Sequence, residues 1–282
     1  MIPISVMILT LNEESNLPGC LSSVAWSDDI HIIDSFSTDS TLEIARSHGA
    51  RIWQRSFDSF AGQQNWALQN VDWKYPWVFY LDADERCTLD LQQAMQSAIR
   101  TPGETVAFQI QRRDFFMGRW LKHVQASPFY LRLFRPEKMS YRRLGHVISE
   151  PDGPTSRLHG YLDHFPFSKG LDDWFNRHNF YSRQEAIQSH LDRDGAVKFS
   201  LMKALFSRDF HLRRQHQKGL FYSLPFRPFI KFAYLLILKR GFLDGRAGFT
   251  YAKLMSMYES MILVKHAECK LLERSPDIDR PK

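Results

Sequence analysis

The sequence predicts an α/β protein built on a doubly wound parallel sheet, followed by a helical extension. Three observations carry this prediction. Short β-rich apolar runs alternate with helical stretches through the first hundred residues. These runs end in polar or acidic residues, at Thr10, Asp34 and Asp82. From Leu171 onward the pattern is helical. Strand–helix alternation is the signature of a sheet covered on both faces by helices.

Each element has its own signal. Ile4 to Leu11 is apolar and β-rich and reads as a buried strand, followed by polar Asn12-Glu13-Glu14-Ser15 and a helix from Leu17 to Val24. Asp29 to Asp34 is a second strand. Ser35 to Asp39 is a turn rich in N-cap residues that opens a helix over Thr41 to Ser47, which Gly49 ends. Ala50 to Gln54 is a third strand and Gly62 to Val71 a third helix. Trp77 to Leu81 is a fourth strand running into Asp82-Ala83-Asp84-Glu85, and Leu89 to Ile99 a fourth helix. Residues 105–165 are rich in Arg and aromatics, with β-like runs at Val106–Gln111, Tyr130–Phe134 and Tyr161–Phe165. They read as an antiparallel extension covering the crevice beyond the strand ends. Candidate helices follow at Leu171–His190, Lys198–Lys218, Pro228–Lys239 and Ala247–Leu272, with Pro225 and Pro228 as breakers. The division expected is a catalytic domain over 1–190, with 1–100 as its binding half and 105–165 as its cover. A basic extension over 191–282 follows.

Composition narrows the classes. The 282 residues are 44% hydrophobic and 24% charged, which excludes wholesale disorder. Cys20, Cys87 and Cys269 lack paired spacing, so neither a disulfide scaffold nor a four-cysteine zinc site is expected, and a reducing cytosol fits. The net charge of +6 is unevenly spread. Residues 198–282 hold 17 Lys/Arg against 7 Asp/Glu, whereas 1–197 hold 20 against 24. The acidic part suits a cation or a metal-bridged anion, and the basic part a phosphate-rich surface. The opening residues lack a basic n-region and a small-residue cleavage site, so no secretory signal is expected. No apolar run reaches the roughly 20 residues that span a bilayer.

The chemistry points to Asp82 and Asp84. Carboxylates two residues apart at a strand end can share a divalent cation, and such hard oxygen donors suit Mg²⁺ or Mn²⁺ completed by substrate phosphates. By itself the triplet is more often a solvated turn than a ligand site. Its place after the fourth strand of an α/β series, with Asp34 ending the second, favours a ligand site, because ligands bind beyond the carboxyl ends of such strands. No G-x-G-x-x-G follows the first strand, which disfavours a dinucleotide oxidoreductase. Helix-turn-helix, RNA-recognition and zinc-finger signatures are absent, so no nucleic-acid partner is expected.

Ile8 to Glu14, then Ile33 to Thr41, then Gly62 to Leu68 and Leu81 to Glu85, taken in order, resemble the glycosyltransferases of family 2. Further on, Gly145-His146 with Glu150, Lys169 to Phe175 with His178-Asn179 and Tyr181-Ser182, and Arg240 to Gly245 resemble a bacterial subgroup of lipopolysaccharide-core and exopolysaccharide transferases. The resemblance implies a GT-A fold, a Rossmann-like mixed sheet here carrying a C-terminal helical extension. It also implies an inverting hexosyltransferase using a nucleotide-diphosphate sugar, here a UDP-sugar, with Mg²⁺ or Mn²⁺. The acceptor would be a saccharide or lipid-linked. Thr10, Leu11, Asn12 and Glu13 would line the base and ribose, with Asp34 also on the nucleoside and Gln64 and Asn65 on the nucleotide side. Asp82 and Ala83 would lie near the ribose, with Asp82 also at the metal, and Asp84 would reach the metal on the diphosphate. The family often has a second Asp where this chain has Ser35, so base recognition is weaker or made differently.

Transfer also needs a base for the acceptor hydroxyl and neutralisation of the leaving diphosphate. Glu150 is the candidate base and Asp114 the reserve, since a position where some relatives have Asp beside Pro is Pro128-Phe129 here. His164, Arg132 and Arg135 are available to the leaving group, with His164 a candidate metal ligand or else a satisfied core histidine. His146 stands similarly. Phe115, Phe116, Trp120 and Phe129 can stack on a sugar or simply pack. Phe226 to Arg240 mixes bulky apolar residues with cations, which suits an anionic membrane surface or, alternatively, packing on the catalytic domain or a partner subunit. The expected place is therefore the cytoplasmic face of the cell membrane. Competing readings are a nucleotidyltransferase, which would want a Gly-rich loop after the first strand, and a non-catalytic nucleotide-sugar-binding scaffold.

Overall fold

The computed structural model describes residues 1–142, 147–194, 200, 202, 224 and 226–274. Gly145, His146, most of the candidate helix over 198–218 and Pro225 lie outside the described residues. The elements are β1 (Ser5–Thr10), α1 (Leu17–Ser23), β2 (Ile30–Asp34), α2 (Thr41–Ser47), β3 (Arg51–Gln54) and α3 (Phe60–Asn70). Then come β4 (Val78–Asp82), β5 (Glu85–Cys87), α4 (Leu89–Arg100), β6 (Ala107–Phe116), β7 (Arg119–Trp120) and β8 (Phe129–Phe134). β9 (Met139–Arg142), β10 (Ile148–Pro151), β11 (Thr155–His164), α5 (Gly170–Asp194), α6 (Arg227–Ala233) and α7 (Gly245–Arg274) complete the chain. The chain divides into two compact units. The first is Met1–Trp120 with Ala126–Ser168; the second is Leu121–Gln125 with the described residues from Lys169 onward. Helix α5, grouped by sequence with the catalytic domain, thus belongs to the second unit.

In the first unit the strand order is β3-β2-β1-β4-β8-β6-β11-β5, with β7 on β6. β3, β2, β1 and β4 are parallel. Alternate residues of β1 feed two cores: Val6 and Ile8 pack with Leu17, Leu21, Leu91 and Met95, and Met7 with Ala67, Val78 and Phe134. That two-residue period buries both faces, as a doubly wound sheet requires. Ser59 caps α3, its hydroxyl accepting from the Gly62 amide at 3.0 Å. Thr88 caps α4, accepting from the Leu91 amide and donating to the Tyr161 carbonyl at 2.8 Å.

The 105–165 segment corrects the antiparallel expectation in part. β8 is antiparallel to β4 and β6, but β11 runs parallel to β6, because a β9–β10 ribbon carries the chain back to the start of β6 first. β11 contains an irregularity between Arg157 and Tyr161. Gly160 lies there at φ +93°, where a Cβ would come within 2.6 Å of the Leu91 backbone, so only glycine fits. Beyond the bulge His164 is opposite Asp114 of β6 on one side and Glu85 of β5 on the other.

At the opposite end of β2 a buried polar joint ties the sheet together. Asp29 accepts from the Ser5 hydroxyl at 2.5 Å, the Lys74 amide at 3.0 Å and His31 Nε2 at 3.1 Å. Trp53 Nε1 donates to His31 Nδ1 at 3.1 Å, so that nitrogen is an acceptor and the imidazole is neutral. Burial pulls the His31 pKa below its ordinary value, against the charge of Asp29. Burial would raise Asp29, but its hydrogen bonds from Ser5 and Lys74 carry it below the usual carboxylate range.

In the second unit the downstream motifs turn out to be joints. Asp244 is buried and accepts from the His123 and Val124 amides, at 2.9 and 2.8 Å, and pairs with His123 Nδ1 at 2.7 Å. Lys265 of α7 donates to Asn179 Oδ1 at 2.6 Å and Ser182 Oγ at 2.7 Å on α5, and His178 stacks on Trp174 at 3.7 Å. No described helix is long and apolar enough to cross a membrane.

Candidate active site

The carboxyl ends of β1 and β2 are laced together. Buried Asp34 accepts from Thr10 Oγ1 at 2.9 Å, from the Ser37 amide at 2.9 Å and from the Ser37 hydroxyl at 2.5 Å. Asn12 takes a left-handed conformation at φ +54°, and its Oδ1 accepts from the Thr38 amide at 2.8 Å. The Glu13 amide donates to Thr41 Oγ1 at 2.7 Å, and the Glu13 carboxylate accepts from Asn16. Ser35, the departure from the family pattern, accepts from Gln63 Nε2 at 2.8 Å and so ties α3 to the loop after β2. Thr10, Asn12 and Glu13 therefore tie together the segments that follow β1 and β2, and Leu11 is exposed between them. Asn65 braces β9 by a reciprocal pair with the Tyr141 backbone, at 2.8 and 2.9 Å. Gln64 beside it is buried with Oε1 lacking a hydrogen-bond partner, a group that a ligand could satisfy.

The end of β4 splits its carboxylates. Asp82 accepts from the Tyr80 hydroxyl and, at 2.7 Å, from Arg132 Nη2. The same guanidinium nitrogen reaches Glu85 Oε1 at 2.7 Å, and Glu85 Oε2 accepts from the Asp82 amide at 3.0 Å. Burial raises the Glu85 pKa, opposed by Arg132, whose own pKa is held high by Glu85 and Asp82 against the cost of burial. Ala83 is buried between the two aspartates in the chain. Asp84 instead faces His164, with Oδ2 3.2 Å from Nε2. Nδ1 of His164 meets Asp114 Oδ1 at 2.5 Å, and Arg112 Nε lies 3.0 Å from that same oxygen. Burial lowers the His164 pKa, but the hydrogen bonds to Asp114 and Asp84 carry it up to about 9, so with no other ligand the ring is an imidazolium donating both protons.

These residues fit a divalent cation. A carboxylate that fixes one ring nitrogen leaves the other for a metal, the usual outer-shell arrangement of metal-bound histidine. Asp84 and His164 Nε2 would be the protein donors. Asp82 is committed to Arg132 and Tyr80. Among the described residues no three His, Cys, Asp or Glu side chains are grouped so as to hold a metal ion.

A family model described as glycosyl transferase family 2 matches residues 5–155, more than half of the chain. The chain belongs to glycosyl transferase family 2. This glycosyltransferase is 27% identical over 289 residues to the lipopolysaccharide core biosynthesis glycosyltransferase LpsC of Rhizobium meliloti, spanning 99% of this chain and 97% of that one. It is 26% identical over 198 residues to an uncharacterized glycosyltransferase of Rickettsia typhi, covering 65% of this chain and 66% of that one. Among solved structures, TarS of S. aureus is similar at 13% identity and TM-score 0.43, with 89% of this chain and 55% of that chain covered. Glucosyl-3-phosphoglycerate synthase of Mycobacterium tuberculosis, solved with Mn²⁺, UDP-glucose and phosphoglyceric acid, is 20% identical with TM-score 0.34, covering 42% of this chain and 45% of that one. The glycosyltransferase spans about half the length of those two chains. Its mixed sheet and C-terminal helices form the α/β GT-A fold that the family implies.

The glycosyltransferase thus gathers Asp84, His164 and Asp114 in one chain of contacts, and Asp34 with Thr10 in another. Glu150 is elsewhere, on the β9–β10 ribbon and paired with Arg142. Arg132 is buried, with Nη2 bonded to both Asp82 and Glu85. Trp120 lies 5.5 Å from Tyr161 and Phe116 4.0 Å from Phe167, so both rings are in packing contacts. Three participants escaped the sequence reading. Glu85 stood in the quoted acidic run but had no role. Arg112 and Tyr130 had none either, yet Arg112 lies 4.9 Å over the exposed Tyr130 ring, with Arg132 5.6 Å from it. An Arg two residues from a Tyr on β8 was the available signal.

Proposed function

We propose that this family 2 glycosyltransferase transfers a sugar, with inversion, from a UDP-sugar to a saccharide or lipid-linked acceptor in the synthesis of lipopolysaccharide core or related bacterial surface polysaccharide, on the cytoplasmic side. The end-to-end similarity to a lipopolysaccharide-core enzyme supports the pathway class. The observation that carries the chemistry is the Asp84–His164–Asp114 chain at the end of β4.

Asp34, held by Thr10 and Ser37, presents a fixed carboxylate to the nucleoside. Asp84 and His164 Nε2 would hold Mg²⁺ or Mn²⁺, which would neutralise charge on the departing diphosphate. Asp114 keeps the His164 ring oriented and is a positioning residue. Arg132 holds Asp82 and Glu85 so that their charges do not repel the diphosphate unopposed. The acceptor oxygen bonds to the anomeric carbon as the bond from that carbon to the diphosphate breaks. Its proton passes to Glu150, whose carboxylate pairs with the exposed Arg142 side chain, unlike the buried Asp114. Nucleoside diphosphate leaves, and the new glycosidic bond has inverted configuration.

The test is binding and turnover of UDP-, GDP- and dTDP-sugars with and without Mn²⁺ or Mg²⁺. Cation-dependent binding of one sugar nucleotide, with transfer cut on the order of a thousandfold in Asp84→Ala, is expected. Sugar-nucleotide binding indifferent to cation, or Asp84→Ala with wild-type transfer, would overturn the proposal. Binding with no transfer to any membrane-derived acceptor would instead identify a scaffold.

A further inference from the structure

We infer that the outer face of α6 and the two turns after it is a docking surface for an anionic lipid bilayer. The segment has two sides. Its inner side is anchored in the second unit: Arg227 forms a buried pair with Glu259 of α7 at 2.8 Å, the Ser256 hydroxyl donates to the Pro228 carbonyl at 2.8 Å, and Leu235 and Gly241 are buried. Gly248 allows the closest approach, since a Cβ there would meet the Gly241 carbonyl at 2.1 Å.

The outer side is apolar and open. Phe226, Phe229, Ile237, Leu238 and Phe242 are 80, 71, 64, 75 and 57% exposed. After α6 the helix widens over Tyr234–Leu238, with the Lys239 amide donating to the Tyr234 carbonyl five residues back at 2.9 Å. In that turn Ile237 and Leu238 are both exposed to solvent. A soluble surface rarely leaves large apolar side chains grouped in this way.

Charge selects the occupant. From 226 to 253 the sequence has one carboxylate, Asp244. It is buried and committed to His123 and two amides. The solvent-facing charges of that stretch are Lys239, Arg240, Arg246 and Lys253, with Lys231 half-buried. Exposed phenylalanine and leucine with a cationic collar and no exposed carboxylate complement the acyl boundary and phosphate headgroups of an anionic leaflet. With no described helix able to span, the segment would lie in the interface plane. The inference is independent of the transfer reaction, and its test uses no turnover.

The experiment is co-sedimentation of the full chain with phosphatidylcholine vesicles and with vesicles containing phosphatidylglycerol as well. Binding to the second only, weakening with salt, is expected. The double variant Phe229→Ser/Leu238→Ser should lose at least about tenfold in partitioning, since each removes a large interfacial side chain. Lys239→Glu/Arg240→Glu should lose more than tenfold on anionic vesicles. Unchanged melting temperatures and unchanged cation-dependent sugar-nucleotide binding would show that the variants fold. Vesicle binding that both variants retain would overturn the inference, as would no vesicle binding by the wild type. So would concentration-dependent self-association abolished by Phe229→Ser/Leu238→Ser, which would assign the face to a second copy of the chain.

Discussion

The end of β4 and the outer face of α6 treat charge in opposite ways. At β4, Asp82 and Glu85 converge on Arg132, and Asp84 and Asp114 on His164, so buried charges of both signs satisfy one another. Between 226 and 253 the exposed charges are all cationic, and the one carboxylate of that stretch, Asp244, is buried. The first region is preorganised: its dipoles are in place before substrate arrives, which is how electrostatic stabilisation escapes a reorganisation cost. The second is left for something outside the chain to complete. A charge network that closes on itself serves chemistry within the fold, and one that does not points outward.

The largest expected effect tests whether the base belongs to the closed network. Glu150→Gln should lower kcat by roughly two to four orders of magnitude with donor Kd nearly unchanged. Wild-type kcat in that variant would move the role off the β9–β10 ribbon. Removal of a cation then separates the two regions directly. Arg132→Met leaves Asp82 and Glu85 facing each other and should destabilise the fold by about 3–5 kcal/mol in urea titrations. Lys239→Ala should change stability by no more than about 0.5 kcal/mol, because nothing in the fold loses a partner. Equal costs would erase the distinction.

A smaller effect lies at the far end of β2. His31 has a folded pKa below its unfolded value, so the unfolded chain binds the extra proton, and stability is full above about pH 6.5 and falls below it. Asp29, also depressed, keeps its contribution above about pH 3.8 and loses it at lower pH. The His31 contribution to the urea midpoint should therefore fall as pH drops from about 7 towards 5, while the raised Glu85 contributes in the opposite direction. His31→Gln should flatten that first stage, and parallel slopes in the two proteins would show that His31 does not cause it.

The parallel half was legible because its strands are apolar runs on both faces. β1, β2, β3 and β4 lie within a residue of the expected runs, and α2 matches at Thr41–Ser47. Asp34 and Asp84 stand out in the sequence because position at a strand end is a local property. Partners contributed by remote strands were not. Arg132 reaches Glu85 across 47 positions of sequence, and His164 reaches Asp114 across 50. The β9–β10 ribbon was missed because its strands are short and carry Arg and Ser where a hydrophobic pattern would announce them. The downstream pieces that resemble the bacterial subgroup make contacts inside the second unit, Asn179 and Ser182 with Lys265 and Asp244 with the His123 and Val124 amides. Polar residues that bond buried backbone carry the same sequence signature as a site.

The bulge beside Gly160 makes the histidine a matter of counting. β11 pairs with β6 at an offset of 48 residues at Thr155 and of 50 at Tyr161. A shift of two preserves the inside–outside alternation of the strand. Were β11 to run on at its first offset, Leu162 and not His164 would stand opposite Asp114, with every face of the sheet intact. The two residues taken up beside Gly160 are thus what bring the imidazole, rather than a leucine, level with Asp114.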